Sequence, residues 1–178
     1  MSESIQPILE DCKNSDRSAQ EKLYQMYYPY AMTVSLPYAD SEEEAMEVVN
    51  DGFMKVFRNL DQYQPNQPFK GWFRRILINT AIDYFRKNKS RQHHLDTMDH
   101  ATENWDDSII DTISADEILE EVQKLSPAYR MVFNLYALEG YNHREIAEKL
   151  HISEGTSKSN LAKARTKLKS VLQSMNLS

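Results

Sequence analysis

Only one cysteine, 4 glycines and 6 prolines occur among the 178 residues, so few positions can cross-link or interrupt the chain. A single cysteine excludes an internal disulfide and is typical of a reducing compartment. The apolar neighbours Ile8 and Leu9 predict that Cys12 is a buried thiol on a short helix. No apolar run approaches the roughly 20 residues that cross a bilayer, and the polar, acidic N-terminus is unlike a signal peptide. We therefore expect a cytoplasmic protein that does not insert into a membrane.

Apolar residues recur at helical spacing through most of the sequence. Together with the low glycine and proline content, this pattern predicts an all-α protein. A chain of this length suffices for one large domain or two small ones. The pattern fails between about Arg91 and Ile113, where Asp, Thr, His, Asn and Ser dominate and predict a linker without a core. We expect two small helical domains, at 1–91 and 114–178, joined by an acidic linker at 92–113.

The net charge of −6 is unevenly distributed along the chain. Residues 1–92 carry a net charge of −1, residues 93–121 carry −10, and residues 122–178 carry +5. The acidic residues are thus concentrated in one segment, between two parts of the chain that have basic surfaces. An acidic pI therefore does not exclude a nucleic-acid partner for this chain.

Four or five helices are predicted in the first domain. A short helix near Ile5–Lys13 precedes one that begins after Asp16, and Pro29 is expected to interrupt this second helix. Its predicted inner face consists of Ala19, Leu23, Met26 and Tyr27. Ser41-Glu-Glu-Glu44 is a capping box that opens a helix through Leu60.

The helix from Ser41 to Leu60 has two different faces. Its inner face is predicted to consist of Ala45, Val49, Gly52 or Phe53, Val56 and Leu60. A glycine in mid-helix costs about 1 kcal/mol relative to alanine, so Gly52 predicts the close approach of another backbone. The outer stripe consists of Glu47, Asn50, Asp51 and Met54. Taken alone, this stripe fits plain solvated surface better than a binding surface.

The segment Phe69–Arg91 combines aromatic residues with seven basic residues and one acid. One stripe has the spacing of a core face: Phe69, Phe73, Ile76, Thr80 and Tyr84. A second stripe consists of Trp72, Arg75, Asn79, Ile82 or Asp83, and Arg86. Such side chains stack on unpaired bases and hold phosphates, although a core helix with solvated arginines fits the helix taken alone. The preceding loop, residues 61–68, is a candidate pocket for an unstacked base.

A helix-turn-helix is predicted near the C-terminus. Ser126 and Pro127 start a helix that ends before Gly140, and Asn142-His-Arg-Glu145 caps the next. After the turn at 151–153, a long helix runs from Glu154 to about Leu172. Its predicted inner face consists of Ser157, Leu161, Ala164, Leu168 and Val171. Its outer face consists of Glu154, Thr156, Lys158, Ser159, Ala162, Lys163 and Arg165. In a major groove, this outer face would meet base edges and phosphates.

Three motifs in order carry a resemblance to a known family. They are Glu47-Val-Val-Asn-Asp-Gly-Phe53, then Phe69-Lys-Gly-Trp-Phe-Arg-Arg-Ile-Leu-Ile-Asn79 with Ala81-Ile-Asp-Tyr-Phe-Arg86, and Glu145-Ile-Ala-Glu-Lys-Leu with Gly155-Thr-Ser-Lys-Ser159 and Ala164-Arg165. The sequence resembles the sigma-70 family, and in particular its small extracytoplasmic-function branch, which keeps the second and fourth domains. The resemblance covers almost the whole chain.

The resemblance implies a role for each stripe. The residues implied in docking on the clamp coiled coil of core RNA polymerase are Glu47, Asn50, Asp51 and Met54. Recognition and melting of the −10 promoter element fall to Lys70, Trp72, Arg75, Asn79, Asp83 and Arg86. Reading of the −35 element falls to Glu154, Thr156, Lys158, Ser159, Ala162, Lys163 and Arg165. The polymerase flap, promoter DNA and an anti-sigma factor, which can be membrane-bound, are the other implied partners. No cofactor, metal or catalytic residue is implied.

Two positions depart from the family pattern. His151 stands where a glycine is usual, which requires a left-handed conformation at a histidine. Ser157 stands on the inner face where a valine is usual, and its hydroxyl is expected to bond to a carbonyl one turn earlier. Both departures affect the predicted angle at which the second helix of the helix-turn-helix, from Glu154 to about Leu172, follows the first.

Three alternative hypotheses about function compete with this interpretation. A stand-alone helix-turn-helix regulator explains the C-terminal domain but leaves the two stripes of the first domain without a role. An enzyme would use His93, His94 and His100 as metal ligands, but no helix fixes their geometry. A helical adaptor without a nucleic-acid role is the third reading.

Overall fold

The computed structural model describes residues 5–91 and 115–175. Within those two ranges the chain forms eight α-helices and no strand, which confirms the predicted all-α class. Their bounds are α1 Gln6–Lys13, α2 Arg17–Ser35, α3 Glu42–Asn59, α4 Phe69–Arg91, α5 Ala115–Gln123, α6 Pro127–Ala137, α7 His143–Leu150 and α8 Glu154–Met175. Short 3-10 turns follow α2 and α3.

The chain divides into two compact units, Met1–Tyr84 and Phe85–Ser178. The division falls inside α4, seven residues before the predicted end of the first domain at Arg91. The predicted linker at 92–113 lies outside the described residues, as do Ser114 and the three histidines of the metal-site alternative. The bounds assigned to the domains from the sequence stay a prediction.

The first unit packs α1 to α4 around an aromatic and aliphatic core. Phe53 of α3 lies 4.8 Å from Phe73 of α4, and Tyr27 of α2 lies 4.9 Å from Phe69, measured between ring centroids. Leu23 and Val49 are fully buried in the same core. These contacts hold α2, α3 and α4 together. The opposite faces of α3 and α4 remain exposed to solvent.

Cys12 is buried on α1, as the sequence predicts. Burial, with smaller contributions from Asp11 and Asp16, raises the pKa of this thiol to about 11. Because the thiolate is the nucleophile, a thiol with so high a pKa is unreactive at neutral pH. Cys12 is therefore a structural residue of the first unit.

The predicted interruption at Pro29 is wrong. Helix α2 continues through Pro29, and the Thr33 hydroxyl donates to the Pro29 carbonyl at 3.0 Å. A mid-helix proline costs about 3 kcal/mol, but buried Leu23, Ala31 and Val34 on either side anchor the helix in the core. Tertiary packing thus overrides the local signal. The inner-face assignment of Met26 is also wrong, because 46% of this residue is exposed.

Helix α3 begins at the predicted cap with one change. The Glu44 amide donates to the Ser41 hydroxyl at 3.2 Å, as expected for a capping box. The Glu44 carboxylate, however, accepts from the amide of Asp40 rather than from that of Ser41. The predicted core face is confirmed, since Ala45, Val49, Gly52, Phe53, Val56 and Leu60 are all buried.

Gly52 is close to a side chain rather than to a backbone, so the expected cause of this glycine is wrong. A Cβ atom at position 52 would lie 2.6 Å from Cδ2 of Leu77. Leu77 belongs to α4 and is fully buried, so it has little room to move away. The glycine therefore allows α3 and α4 to pack closely at this level.

We expect Gly52→Ala to destabilise the first unit by up to about 2 kcal/mol. Alanine gains about 1 kcal/mol in helix propensity, but overpacking a core costs about 1–3 kcal/mol. Gly71→Ala is the matched control, because a Cβ there meets nothing within 4 Å, and it should stabilise by about 0.5–1 kcal/mol. Chemical unfolding measures both variants. An equal gain in both would contradict the close-packing argument.

The second unit packs α5, α6 and α7 against α8. Val122, Leu125, Ala164 and Leu168 form one buried cluster, and Tyr129 and Phe133 pack against it. Helices α7 and α8 are joined by the turn at 151–153, which confirms the predicted helix-turn-helix. The predicted inner face of α8 is buried at Ser157, Leu161, Ala164 and Leu168, and half-buried at Val171.

Candidate nucleic-acid interface

The second stripe of α4 lies on the surface. Lys70, Arg75, Asn79, Asp83 and Arg86 are exposed, and Trp72 is half-buried. The sequence left Ile82 and Asp83 as alternatives at one position of this stripe. Ile82 is buried and Asp83 is exposed, so Asp83 completes the stripe. Five of the predicted −10 residues thus share one accessible helix face: Trp72, Arg75, Asn79, Asp83 and Arg86. Lys70 is exposed on a different side of α4, beside Tyr30 of α2.

Trp72 is held by two aromatic neighbours. Its ring lies 5.3 Å from that of Tyr63 and 5.9 Å from that of Phe69, both buried. The Tyr63 hydroxyl donates to the Gln67 carbonyl at 2.6 Å, which fixes Tyr63 within the loop. One part of the indole therefore rests on a rigid aromatic base while the rest is accessible for stacking.

The loop at residues 61–68 is ordered by its own hydrogen bonds and is bonded to α4. The Gln67 amide donates to the Gln64 carbonyl at 3.0 Å. The Arg75 guanidinium donates through Nη2 to Oε1 of Gln67 at 3.0 Å. The loop thus lies directly beside Arg75, and Gln67 is a further candidate residue that the stripe pattern could not identify. Its signal in the sequence was the Gln-rich composition of the loop alone.

Two further contacts involve charged residues of α4. The Nζ atom of Lys70 lies 5.3 Å from the centroid of the Tyr30 ring, and the Tyr30 hydroxyl donates to the Lys70 carbonyl. Nζ of Lys55 lies 3.1 Å from Oδ2 of Asp83. The single acid on the stripe is therefore paired with a base from α3, and the remaining charge on the face is positive.

The outer stripe of α3 is exposed at all four predicted positions, Glu47, Asn50, Asp51 and Met54. Two tyrosines that the pattern of the stripe does not reveal donate hydrogen bonds to it. Tyr24 of α2 donates to Oδ1 of Asn50 at 3.0 Å, and Tyr84 of α4 donates to Oδ2 of Asp51 at 2.8 Å. Burial, followed by the bond to Asp51, raises the pKa of Tyr84 to about 12. Tyr84 is therefore always protonated and always a donor at neutral pH.

None of the predicted −35 residues is buried. Glu154 and Lys158 are exposed, and Thr156, Ser159, Ala162, Lys163 and Arg165 are half-buried. The Thr156 amide donates to the Ser153 hydroxyl at 3.0 Å, and the two hydroxyls lie 2.9 Å apart. The first turn of α8 is thus capped by Ser153, which fixes the backbone at the end that a major groove would receive.

Ser157 does not bond to a carbonyl one turn earlier, so that expectation is wrong. Its buried hydroxyl lies 3.0 Å from Nδ1 of His143, the first residue of α7. Burial, then the nearby charges of Lys158 and Arg165, lower the pKa of His143. The imidazole is therefore neutral at pH 7 and can pair with a hydroxyl.

His151 adopts the left-handed conformation expected from the departure at this position. Its φ and ψ are 52° and 50°, and it ends α7. At the other end of α7, the Glu145 amide donates to Asn142 at 3.0 Å and the Asn142 amide donates to Glu145 at 2.8 Å, which confirms the predicted capping box. Both ends of α7 are therefore defined by local chemistry.

We expect His151→Gly to stabilise the second unit by about 1 kcal/mol, because glycine adopts the left-handed region without the penalty of a Cβ atom. His151→Ala is the matched control, since it removes the imidazole but keeps the Cβ, and it should give no gain. Thermal unfolding measures the difference. If alanine stabilised as much as glycine, the imidazole rather than the backbone would be the source of strain.

Residues 5–91 and 115–175 contain no group of three His, Cys, Asp or Glu side chains that could hold a metal ion. No helix in those ranges is both long and apolar enough to cross a membrane.

Comparison with known families identifies both units. Residues 23–91 match the model of Sigma-70 region 2, and residues 115–168 match that of Sigma-70, region 4. The first match runs from Leu23 within α2 through α3 and α4, and it includes the stripes on α3 and α4. The second match includes the helix-turn-helix. The two regions follow in the order that the sequence motifs predict.

Full-length relatives lead to the same family. The ECF RNA polymerase sigma factor SigW of Bacillus subtilis is 26% identical over 88% of this chain and 86% of its own length. The ECF RNA polymerase sigma-E factor of Haemophilus influenzae is 24% identical over 94% of this chain and 95% of its own. The chain matches two regions of the sigma-70 family in the family's order, and its relatives are ECF sigma factors over nearly their whole length. It therefore belongs to the sigma-70 family and to its extracytoplasmic-function (ECF) branch.

Proposed function

We propose that the chain binds core RNA polymerase and directs promoter-specific initiation through two DNA-reading surfaces, one on α4 and one on α8. The observation that carries this proposal is the exposure of Arg75, Asn79 and Arg86 on one helix face beside Trp72. A packed interior would have excluded any role for these side chains in DNA recognition. Polymer synthesis stays with the polymerase, and this chain supplies no catalytic residue or cofactor.

The surface on α4 recognises and opens the −10 element. Unstacking a base costs a few kcal/mol, which stacking and polar contacts to the extruded base can offset. Trp72 offers a stacking surface, and the loop at 61–68 offers amide groups next to Arg75. The amide of Asn79 lies further along the same face. Asp83 and Arg86 complete this face, and Lys70, at the start of α4, is the remaining proposed −10 residue.

The surface on α8 recognises the −35 element in the major groove. Lys158, Ser159 and Lys163 face outward near the capped end of the helix, where base edges come within reach. Glu154, Thr156 and Ala162 line the same face, and Arg165 is placed to meet a phosphate. Lys163 and Arg165 are half-buried, as is usual for long side chains whose apolar stems pack on a protein while their charged ends stay in water.

The outer stripe of α3 docks on the polymerase. Glu47, Asn50 and Asp51 present polar and acidic groups around Met54, an apolar side chain that is 49% exposed. An apolar centre with a polar rim is the usual anatomy of a protein interface. Because Asn50 and Asp51 each accept a bond from a tyrosine, the stripe is ordered before its partner arrives.

Three further parts of the proposal rest on the sequence and its resemblance. The acidic segment at 92–113 links the domains 1–91 and 114–178 and competes with DNA for their basic surfaces. The second domain also contacts the polymerase flap. An anti-sigma factor, which can be membrane-bound, covers the exposed stripes of this cytoplasmic chain until a signal arrives.

Abortive transcription with purified core polymerase tests the proposed function. Core enzyme plus this chain should initiate at discrete positions on genomic DNA, whereas core enzyme alone should not. A stand-alone helix-turn-helix regulator, a helical adaptor or an enzyme would not confer promoter-dependent initiation. Absence of such transcripts would overturn the proposal.

A further inference from the structure

Ser157 and His143 form a polar pair inside an otherwise apolar helix crossing. Ser157 lies on the inner face of α8 with no solvent exposure, and its hydroxyl lies 3.0 Å from Nδ1 of His143 on α7. A buried hydroxyl without a partner is destabilising, so the histidine satisfies Ser157. The same bond fixes the rotation of the imidazole ring about its side chain.

The fixed imidazole ring supports an aromatic residue of α6. The ring of Tyr136 lies 5.2 Å from that of His143, and the two planes are only 25° apart. This stacked geometry limits the side-chain freedom of Tyr136, which is otherwise 36% exposed at the surface. Three helices therefore contribute to one contact chain.

Tyr136 in turn contacts a cationic residue of α8. Cζ of Arg165 lies 5.4 Å from the centroid of the Tyr136 ring, within the range of a cation–π interaction. A free arginine samples many rotamers and loses that freedom when it binds a ligand. Contact with a fixed ring reduces this loss, because the cation–π interaction restricts the rotamers of Arg165 before DNA is bound.

We propose that Ser157, His143 and Tyr136 are positioning residues that hold Arg165 ready to bind a backbone phosphate of duplex promoter DNA. This inference rests on the proposed function, because it takes α8 as the helix that meets DNA. It explains why a serine stands on the inner face of α8: the serine, the histidine and the tyrosine act as a unit through Arg165. None of the three positioning residues needs to touch DNA itself.

The test uses the full chain assembled with core polymerase, and a pool of duplex DNA enriched by that complex from random sequence. Arg165→Ala should weaken binding roughly tenfold and lower the slope of log affinity against log salt by about 0.9, the value for one lost phosphate contact. Tyr136→Leu should lower the slope nearly as much. The double variant should be no weaker than Arg165→Ala alone. Tyr136→Phe, which keeps the ring, should bind as the unmodified chain does.

Other outcomes would overturn the inference. Additive losses in the double variant would mean that Tyr136 acts independently of Arg165. A weaker affinity for Tyr136→Leu with an unchanged salt slope and a lower melting temperature would mean a purely structural role. Equal losses in Tyr136→Phe and Tyr136→Leu would mean that the hydroxyl, not the ring, matters. If the unmodified complex enriched no duplex at all, the proposed function itself would fail, which separates the two failures.

Discussion

Met54→Glu is expected to weaken binding of the chain to core RNA polymerase by roughly 30-fold or more. Met54 is the apolar centre of the proposed docking stripe, and a central interface residue of this kind contributes about 2 kcal/mol or more to binding. Glutamate at this position would also have to lose its hydration in the interface without a partner. Competition binding with labelled chain measures the affinity, and abortive transcription at limiting core enzyme measures the consequence.

Met26→Glu is the matched control. Met26 of α2 is 46% exposed and Met54 is 49% exposed, so the two substitutions replace similar surface with the same charge. Both variants should unfold at nearly the temperature of the unmodified chain, because exposed helix positions tolerate glutamate. Equal loss of polymerase binding in the two variants would show that α3 has no special role in docking.

The exposed polar residues of the same stripe are less suitable for this experiment. The sequence alone suggests that replacing Asn50 and Asp51 lowers polymerase affinity without a change in stability. In the structure both residues accept hydrogen bonds from tyrosines of neighbouring helices. Removing Asp51 would leave the Tyr84 hydroxyl without this acceptor, so an effect on binding would be mixed with an effect on folding.

Features set by local chemistry could be predicted from the sequence. The capping box at Asn142 and Glu145 depends on residues three apart, and the left-handed conformation at His151 is expected because the family that the sequence resembles usually has glycine at this position. The face of α4 that carries Arg75 follows from helical periodicity alone. These signals are enough to locate the helix-turn-helix and the exposed stripes.

Features set by tertiary contacts could not be predicted in the same way. Pro29 predicts an interruption locally, but the packing of α2 on both sides of the proline preserves the helix. The glycine at position 52 signals a close neighbour without revealing that it is the side chain of Leu77, 25 residues away in sequence. Likewise, nothing local to Ser157 indicates a bond to His143. Each of these outcomes depends on how helices that are distant in sequence pack together.

Trp72→Ala is expected to lower the formation of open promoter complexes by roughly 5- to 150-fold, since stacking of one base on an aromatic ring contributes about 1–3 kcal/mol. The loss should affect opening more than the initial binding to closed duplex, because the bases are stacked on one another until the strands separate. A template that is already unpaired at the −10 element removes the cost of unstacking. Initiation on this premelted template should therefore return close to the level of the unmodified chain.

Tyr28→Ala separates this effect from a general loss of stability. Tyr28 is also half-buried, and its ring lies 5.3 Å from that of Tyr24, the same distance as between Trp72 and Tyr63. The two variants should lose comparable packing, but only Trp72→Ala removes an aromatic group from the −10 surface. Permanganate reactivity of unpaired thymines measures opening on the fully paired template, and abortive transcription measures initiation on the premelted one. A deficit in Trp72→Ala that persisted in full on the premelted template, or one shared equally by Tyr28→Ala, would place the role of Trp72 in folding rather than in strand separation.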